Sequence, residues 1–135
     1  MIEQVDLDFV QKTLVDVATA NGVELEELKN GWDEEKGTNA WSVNYERSLK
    51  ENVEDQLRKL KYACDLYYDA MAQNDKVAAK SSLMDLRLAA MTLYCFFHNI
   101  FEDCEKIMGD DPRFIWPDFP EDYKLPAHYN YKGPK

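Results

Sequence analysis

The sequence predicts an all-α helical bundle built on one long antiparallel helical hairpin. No glycine or proline lies between Gly37 and Gly109, and all five prolines come from Pro112 onward. Because glycine and proline weaken helices more than other residues do, this interval favours long helices. Apolar residues within it also recur at alternating spacings of three and four, which is the helical period.

Two short helices are predicted before the hairpin. Asp6 or Asp8 can cap the first helix, and Asn21-Gly22 is a signal for its end. Its apolar residues recur at helical spacing: Leu7, Val10, Leu14 and Val17. A second helix is predicted near residues 24–29, because glutamates at its start suit a helix N-terminus and Asn30-Gly31 can close it.

The first long helix of the hairpin is predicted over about residues 44–73. Its apolar residues alternate spacings of four and three, the pattern of a seam between packed helices: Val53, Leu57, Leu60, Cys64, Tyr67 and Met71. Asn74-Asp75 is the expected break, since both residue types favour turns and helix caps. We therefore expect the chain to fold back at this point.

The second long helix is predicted over about residues 76–108, with Gly109 at its end. It has one seam at the same alternating spacing: Leu86, Ala90, Leu93, Phe97, Ile100, Cys104 and Ile107. A further apolar stripe lies on another part of its surface: Met84, Leu88, Met91 and Cys95. A helix that is apolar on most sides is either central in its bundle or shared with another subunit. Central burial is the simpler interpretation.

The tail after Gly109 contains the five prolines and six aromatic residues, so regular structure is not expected there. We expect this irregular tail to pack on the bundle to about Leu125. The alternative is that the tail is a peptide that docks into a partner.

The chain is predicted to be one helical domain over 1–135, with an N-terminal lobe (1–35), a hairpin (44–108) and an extended tail (110–135).

Acidic residues are concentrated in the N-terminal lobe. The whole chain has 26 acidic and 16 basic residues, a net charge of −10. Residues 1–35 contain ten acids and two lysines, a net charge of −8. The chain has no basic stripe, which argues against direct binding of nucleic acid. A protein partner with a basic surface is expected instead. Its candidate contacts are Glu24, Glu26, Glu27, Trp32, Asp33, Glu34 and Glu35.

The sequence shows no pattern typical of a phosphate-loop, zinc-binding, membrane-spanning or secreted protein. The chain has no Gly-rich phosphate loop, and its three cysteines fit no zinc pattern, so we expect no cofactor. These cysteines lie on apolar helix faces and are expected to be buried, reduced thiols. The apolar run at 88–100 is shorter than the roughly 20 residues that cross a membrane. No signal peptide is visible, which predicts a cytoplasmic protein.

These observations favour a non-catalytic protein–protein interaction module. A small acidic helical domain without a catalytic motif suits an inhibitor or adaptor. If its partner handles nucleic acid, the acidic lobe could fill the partner's basic groove as a DNA mimic. Homodimerisation through the second long helix is left open.

The alternative function is a metal-dependent hydrolase. Folding the chain back at Asn74-Asp75 places Glu51 opposite His98, with Glu54 and Glu102 within about one helical turn. Carboxylates and histidine in one place could hold a divalent metal. The sequence also favours solvent-exposed glutamates at these positions, because basic residues lie beside them.

Overall fold

The computed structural model describes residues 5–30, 32–33, 35 and 37–134. It confirms an all-α helical bundle in which two long helices pack against each other. The elements are α1 (Leu7–Ala20), α2 (Leu25–Asn30), β1 (Trp32–Asp33), β2 (Thr38–Asn39), α3 (Leu49–Ala72) and α4 (Lys76–Glu105). A π-helical turn (Lys106–Asp110) follows α4, and a 3-10 turn (Ala127–Tyr129) lies in the tail. The two strands pair antiparallel.

Helix α3 begins at Leu49, five residues later than predicted. Residues 44–48 are held as a loop by α1, because the Gln11 side-chain amide donates to the carbonyls of Asn44 and Arg47, at 3.0 Å each. Ser48 then caps α3 by accepting from the Glu51 backbone N–H. These contacts fix the start of the hairpin on the N-terminal lobe.

The predicted break at Asn74-Asp75 is confirmed. Asn74 has a φ of 55°, in the left-handed region that asparagine tolerates. Asp75 caps α4 by accepting from the Ala78 backbone N–H at 3.0 Å. Asp6 likewise caps α1. The end of α4 also comes near the predicted place, since Gly109 has a φ of 151° within the π-helical turn.

The hydrophobic core lies at one end of the hairpin. It joins α1, α2, the loop before α3, the end of α4 and the start of the tail through Leu14, Ala18, Val23, Leu28, Trp41, Val43, Ile107 and Phe114. The small N-terminal helices therefore cover only the base of the hairpin. Beyond this base α3 and α4 pack mainly against each other.

The seam between α3 and α4 follows the predicted one in part, since Val53 is buried and Leu60 and Tyr67 are partly buried. Its most buried residues beyond the base are small: Ala63, Ala70, Ala79, Ser82 and Ala89. Leu57, Cys64 and Met71, which the apolar spacing placed on the seam, are exposed. The prediction is wrong for these three residues because small side chains occupy the seam beside them, and the larger neighbours then point to either side.

Central burial of α4 is also wrong. Ala90 and Phe97, two members of its predicted seam, are exposed, although Leu86, Leu93 and Ile100 are partly buried. Its two apolar stripes cannot both be covered, because among the described residues α3 is the only long helix beside it, and α1 and α2 lie at the base. Helix α4 thus carries apolar side chains into solvent in the isolated chain.

A buried carboxylate joins the end of α4 to the loop before α3. Asp103 is 1% exposed and accepts from the backbone N–H groups of Ser42 and Val43 and from the Tyr45 hydroxyl, at 2.7, 2.9 and 2.7 Å. Burial raises the pKa of Asp103, and these three hydrogen bonds act in the opposite direction. Burial and the neighbouring carboxylate also raise the pKa of Tyr45.

The tail packs on the bundle through its first residues. Phe114 is buried against the Trp41 ring, and the Trp116 indole N–H donates to the Ile107 carbonyl at 2.7 Å. Ile115 and Phe119 are exposed, whereas Leu125 is partly buried, so the predicted packing to about Leu125 is interrupted rather than continuous. Phe114 is therefore the residue of the tail that enters the core.

Candidate protein-interaction surface

The α3–α4 hairpin has two long sides, one on each side of its seam. A groove on one side is lined by Cys64, Tyr68 and Leu83. A groove on the other side is lined by Tyr62, Leu66, Asp85, Leu88 and others. Residues seven apart lie on the same helix face, so each side can be followed along the hairpin from these grooves.

The side that contains Cys64 and Leu83, here called the apolar side, runs along most of the hairpin. It comprises Leu57, Cys64, Tyr68 and Met71 of α3 and Leu83, Ala90, Tyr94, Phe97 and Phe101 of α4. Its large side chains are between 38% and 72% exposed. The four aromatic rings alone leave about 500 Å² in solvent, at about 200 Å² per side chain. The largest apolar patch on a typical monomer is about 300–600 Å² and is often functional, so this side is a candidate interaction surface.

The opposite side of the hairpin, here called the mixed side, carries both polar and apolar side chains. Its groove is lined by Gln56, Lys59, Asp85 and Thr92 together with the apolar residues. Leu88 is 59% exposed there, and Leu83 is 53% exposed on the apolar side. The two leucines lie about 140° apart around α4. They therefore allow the two sides to be compared with matched substitutions.

The cysteines are free, and two of them are more exposed than predicted. Cys64 lies in the groove of the apolar side, whereas Cys95, one helical turn from Thr92, lies on the mixed side. Only Cys104 is partly buried, and burial raises the pKa of its thiol. The expectation of buried thiols is wrong for both: Ala63 is buried on the seam beside Cys64, and the stripe of α4 that carries Cys95 is exposed.

The acidic lobe is anchored through one of its predicted contact residues. The Glu27 carboxylate accepts from the Arg113 guanidinium at 2.7 and 3.0 Å and from the Trp41 indole N–H at 2.8 Å. The bond from Arg113 is the main reason that the pKa of Glu27 is lowered. Glu27 therefore holds α2 to the tail, while Glu24 and Glu26 are exposed on the same short helix.

The other candidate contacts of the lobe lie around the two short strands. Trp32 and Asp33 form β1, in which Trp32 pairs with Asn39 and Asp33 pairs with Thr38. Glu35 is exposed. Glu34 lies outside the described residues. These positions stay predicted contacts.

The hydrolase alternative depends on Glu51, Glu54, His98 and Glu102. His98 Nε2 lies 3.2 Å from a Glu102 carboxylate oxygen, and Glu51 and Glu54 are exposed on α3. Within the described ranges, no three histidine, cysteine, aspartate or glutamate side chains gather closely enough to hold a metal ion. The His98–Glu102 contact is therefore the one part of the predicted set that is seen together.

Binding of a metal at these residues predicts a saturable, stoichiometric rise in melting temperature with Mg²⁺ or Mn²⁺, because a ligand that binds only the folded state stabilises it. The measurement is thermal unfolding at millimolar metal, with the His98→Ala variant as the control. Equal curves with and without metal would contradict the alternative.

The fold and its surfaces define a helical-hairpin protein with a small acidic lobe at its base. In the described part of the chain, no helix is both long and apolar enough to cross a membrane. Neither a family model nor a curated protein matches the sequence.

A solved structure has a similar fold: that of a functionally unknown protein from Neisseria meningitidis MC58. The TM-score is 0.74 at 18% sequence identity, and the match covers 84% of this chain and 98% of the other. At this identity the similarity extends to the fold alone. The surfaces of this chain must therefore be interpreted from its own residues.

Proposed function

We propose that this protein is a non-catalytic protein–protein interaction module whose main contact surface is the apolar side of the hairpin. The exposure of that side carries the proposal. Its aromatic and aliphatic side chains form a continuous surface on two rigid helices, and burial of such area is the main favourable term in protein association. Aromatic residues on a rigid helix are also typical anchors of interfaces.

The acidic lobe supplies a second contact in this proposal. Glu24 and Glu26 are exposed and take no part in the ion pair that holds Glu27, so their charges are available to a partner with a basic surface. The protein would then act as a small acidic inhibitor or adaptor. A partner that handles nucleic acid would meet the lobe as a DNA mimic.

Site-specific photo-crosslinking tests the proposed module. A photoreactive phenylalanine analogue replaces Ala90 on the apolar side in one variant and Leu88 on the mixed side in the matched control. We expect protein adducts from position 90 in an extract of the source cells and at least fivefold fewer from position 88. Equal adduct yields, or none at position 90, would contradict the proposal.

The same experiment addresses the acidic lobe when the analogue replaces Glu26. Adducts formed there should decrease as salt rises from about 0.05 to 0.5 M, because exposed charges are screened over a Debye length of about 10 Å at 0.1 M salt. A salt-independent yield would exclude the DNA-mimic form of the proposal and leave the apolar surface unaffected.

A further inference from the structure

We infer that the apolar side of the hairpin binds the same side of a second copy of this chain, which forms a four-helix bundle. The inference rests on the proposed function, because it names the partner of the same surface. The two copies would be related by a two-fold axis, so that each contributes α3 and α4.

The first support is that α3 and α4 leave many of each other's apolar side chains uncovered. The hairpin's most buried residues beyond the base are alanines and Ser82, and Leu86 and Leu93 are only partly buried, so the two helices leave apolar area uncovered. Their larger side chains remain in solvent beside the seam, with Tyr68, Leu83 and Phe97 as examples. The common way to cover such a hairpin is to pack two more helices against it.

The dimensions of the surface match a second copy. Helices of 24 and 30 residues extend for about 36 and 45 Å. The apolar side follows them from Phe101 near the base to Met71 near the turn. A second hairpin has the same length and the same apolar side, so a two-fold arrangement can cover the whole surface at once.

The exposed area is sufficient for a stable dimer. The four aromatic side chains contribute about 500 Å² of exposed surface at about 200 Å² each. Leu57, Met71 and Leu83, each between 38% and 53% exposed, add to it. The sum approaches the roughly 800 Å² that each partner contributes to a standard specific interface.

The charge distribution permits self-association. The chain carries a net charge of −10, so two copies repel each other when their acidic surfaces meet. The apolar side carries few acids: by helical spacing Glu54 lies at its border, together with the basic Lys61, Lys80 and Arg87. Packing through this side therefore keeps the acidic lobes away from the interface.

Sedimentation equilibrium of the purified full chain tests the inference. At 10–100 µM we expect a mass twice the 15.8 kDa of one chain. Leu83→Asp should weaken the dimer at least a hundredfold and give a monomer. Leu88→Asp, at a position of similar exposure on the mixed side, should remain dimeric. Both side chains are exposed in the single chain, so circular dichroism should show helical content in each variant.

A monomeric wild type, or an equal effect of the two substitutions, would overturn the inference. Phe97→Asp is the second variant on the apolar side, and its retention as a dimer would overturn it equally. If the wild type is monomeric while position 90 still forms adducts with a different protein, the dimer fails and the proposed module stands. If the wild type is monomeric and position 90 forms no adduct, the dimer and the proposed module both fail.

Thiol reactivity of the wild type gives an independent measurement. Cys64 lies on the apolar side and Cys95 on the mixed side, and both are exposed in the single chain. Dimerisation should slow the reaction of Cys64 with a maleimide at least tenfold relative to Cys95, and Leu83→Asp should remove the difference. Equal rates for the two thiols in the wild type would count against the inference.

Discussion

Replacement of Asp103 by alanine should lower the free energy of unfolding by about 4 kcal/mol, a large fraction of the roughly 5–15 kcal/mol typical of a domain. The substitution leaves the backbone N–H groups of Ser42 and Val43 and the Tyr45 hydroxyl without their acceptor. A buried donor that loses its partner costs about 1–3 kcal/mol. Urea unfolding followed by circular dichroism measures the effect.

Two further variants make this prediction specific. Asp103→Asn keeps the shape and one acceptor oxygen, so a loss of about 2 kcal/mol is expected, intermediate between wild type and alanine. Glu105→Ala removes an exposed carboxylate two residues further on and should change stability by less than about 0.5 kcal/mol. A loss below 1 kcal/mol in Asp103→Ala would mean that this carboxylate does not hold the loop to α4.

Replacement of Phe114 by alanine should cost about 3–4 kcal/mol, within the range for buried phenylalanines. The side chain is 4% exposed and meets the Trp41 ring edge-on, with 6.2 Å between ring centroids. Because the core lies at the base of the hairpin, a cavity there affects α1, α2 and α4 together. Urea unfolding measures the loss, and limited proteolysis should cut the tail of the variant sooner.

Phe119→Ala is the matched control for this prediction. The side chain is the same, but it lies five residues further along the tail and is 83% exposed. Its removal should change stability by less than about 0.5 kcal/mol. If both variants lose equal stability, the tail is held by more than its first residues, and the described packing is incomplete.

The elements of the fold could be predicted because their signals are local. Asp6 and Asp75 cap helices, and Asn74 provides the left-handed turn that separates α3 from α4. These roles depend on a few neighbouring residues and on backbone sterics. The absence of glycine and proline between Gly37 and Gly109 likewise favoured long helices, and α3 and α4 occupy most of this interval.

The buried Asp103 could not be found in the same way. In the sequence it follows Glu102 on a charged part of α4, and nothing local distinguishes a buried carboxylate from a solvated one. Its burial depends on donors from Ser42, Val43 and Tyr45, about 60 residues away in the chain. Similarly, Glu27 resembles its neighbours in sequence, and its distant partners Arg113 and Trp41 make it a structural contact.

The sequence by itself determined that the chain is helical, where its hairpin turns and that acids concentrate in its first 35 residues. Only the tertiary structure decided which apolar residues face inward. Apolar side chains occur on several faces of α3 and α4, so spacing alone allows more than one register. Burial of Ala63, Ala70 and Ala89 on the seam selected one register, and it left Leu57, Leu83 and Phe97 exposed.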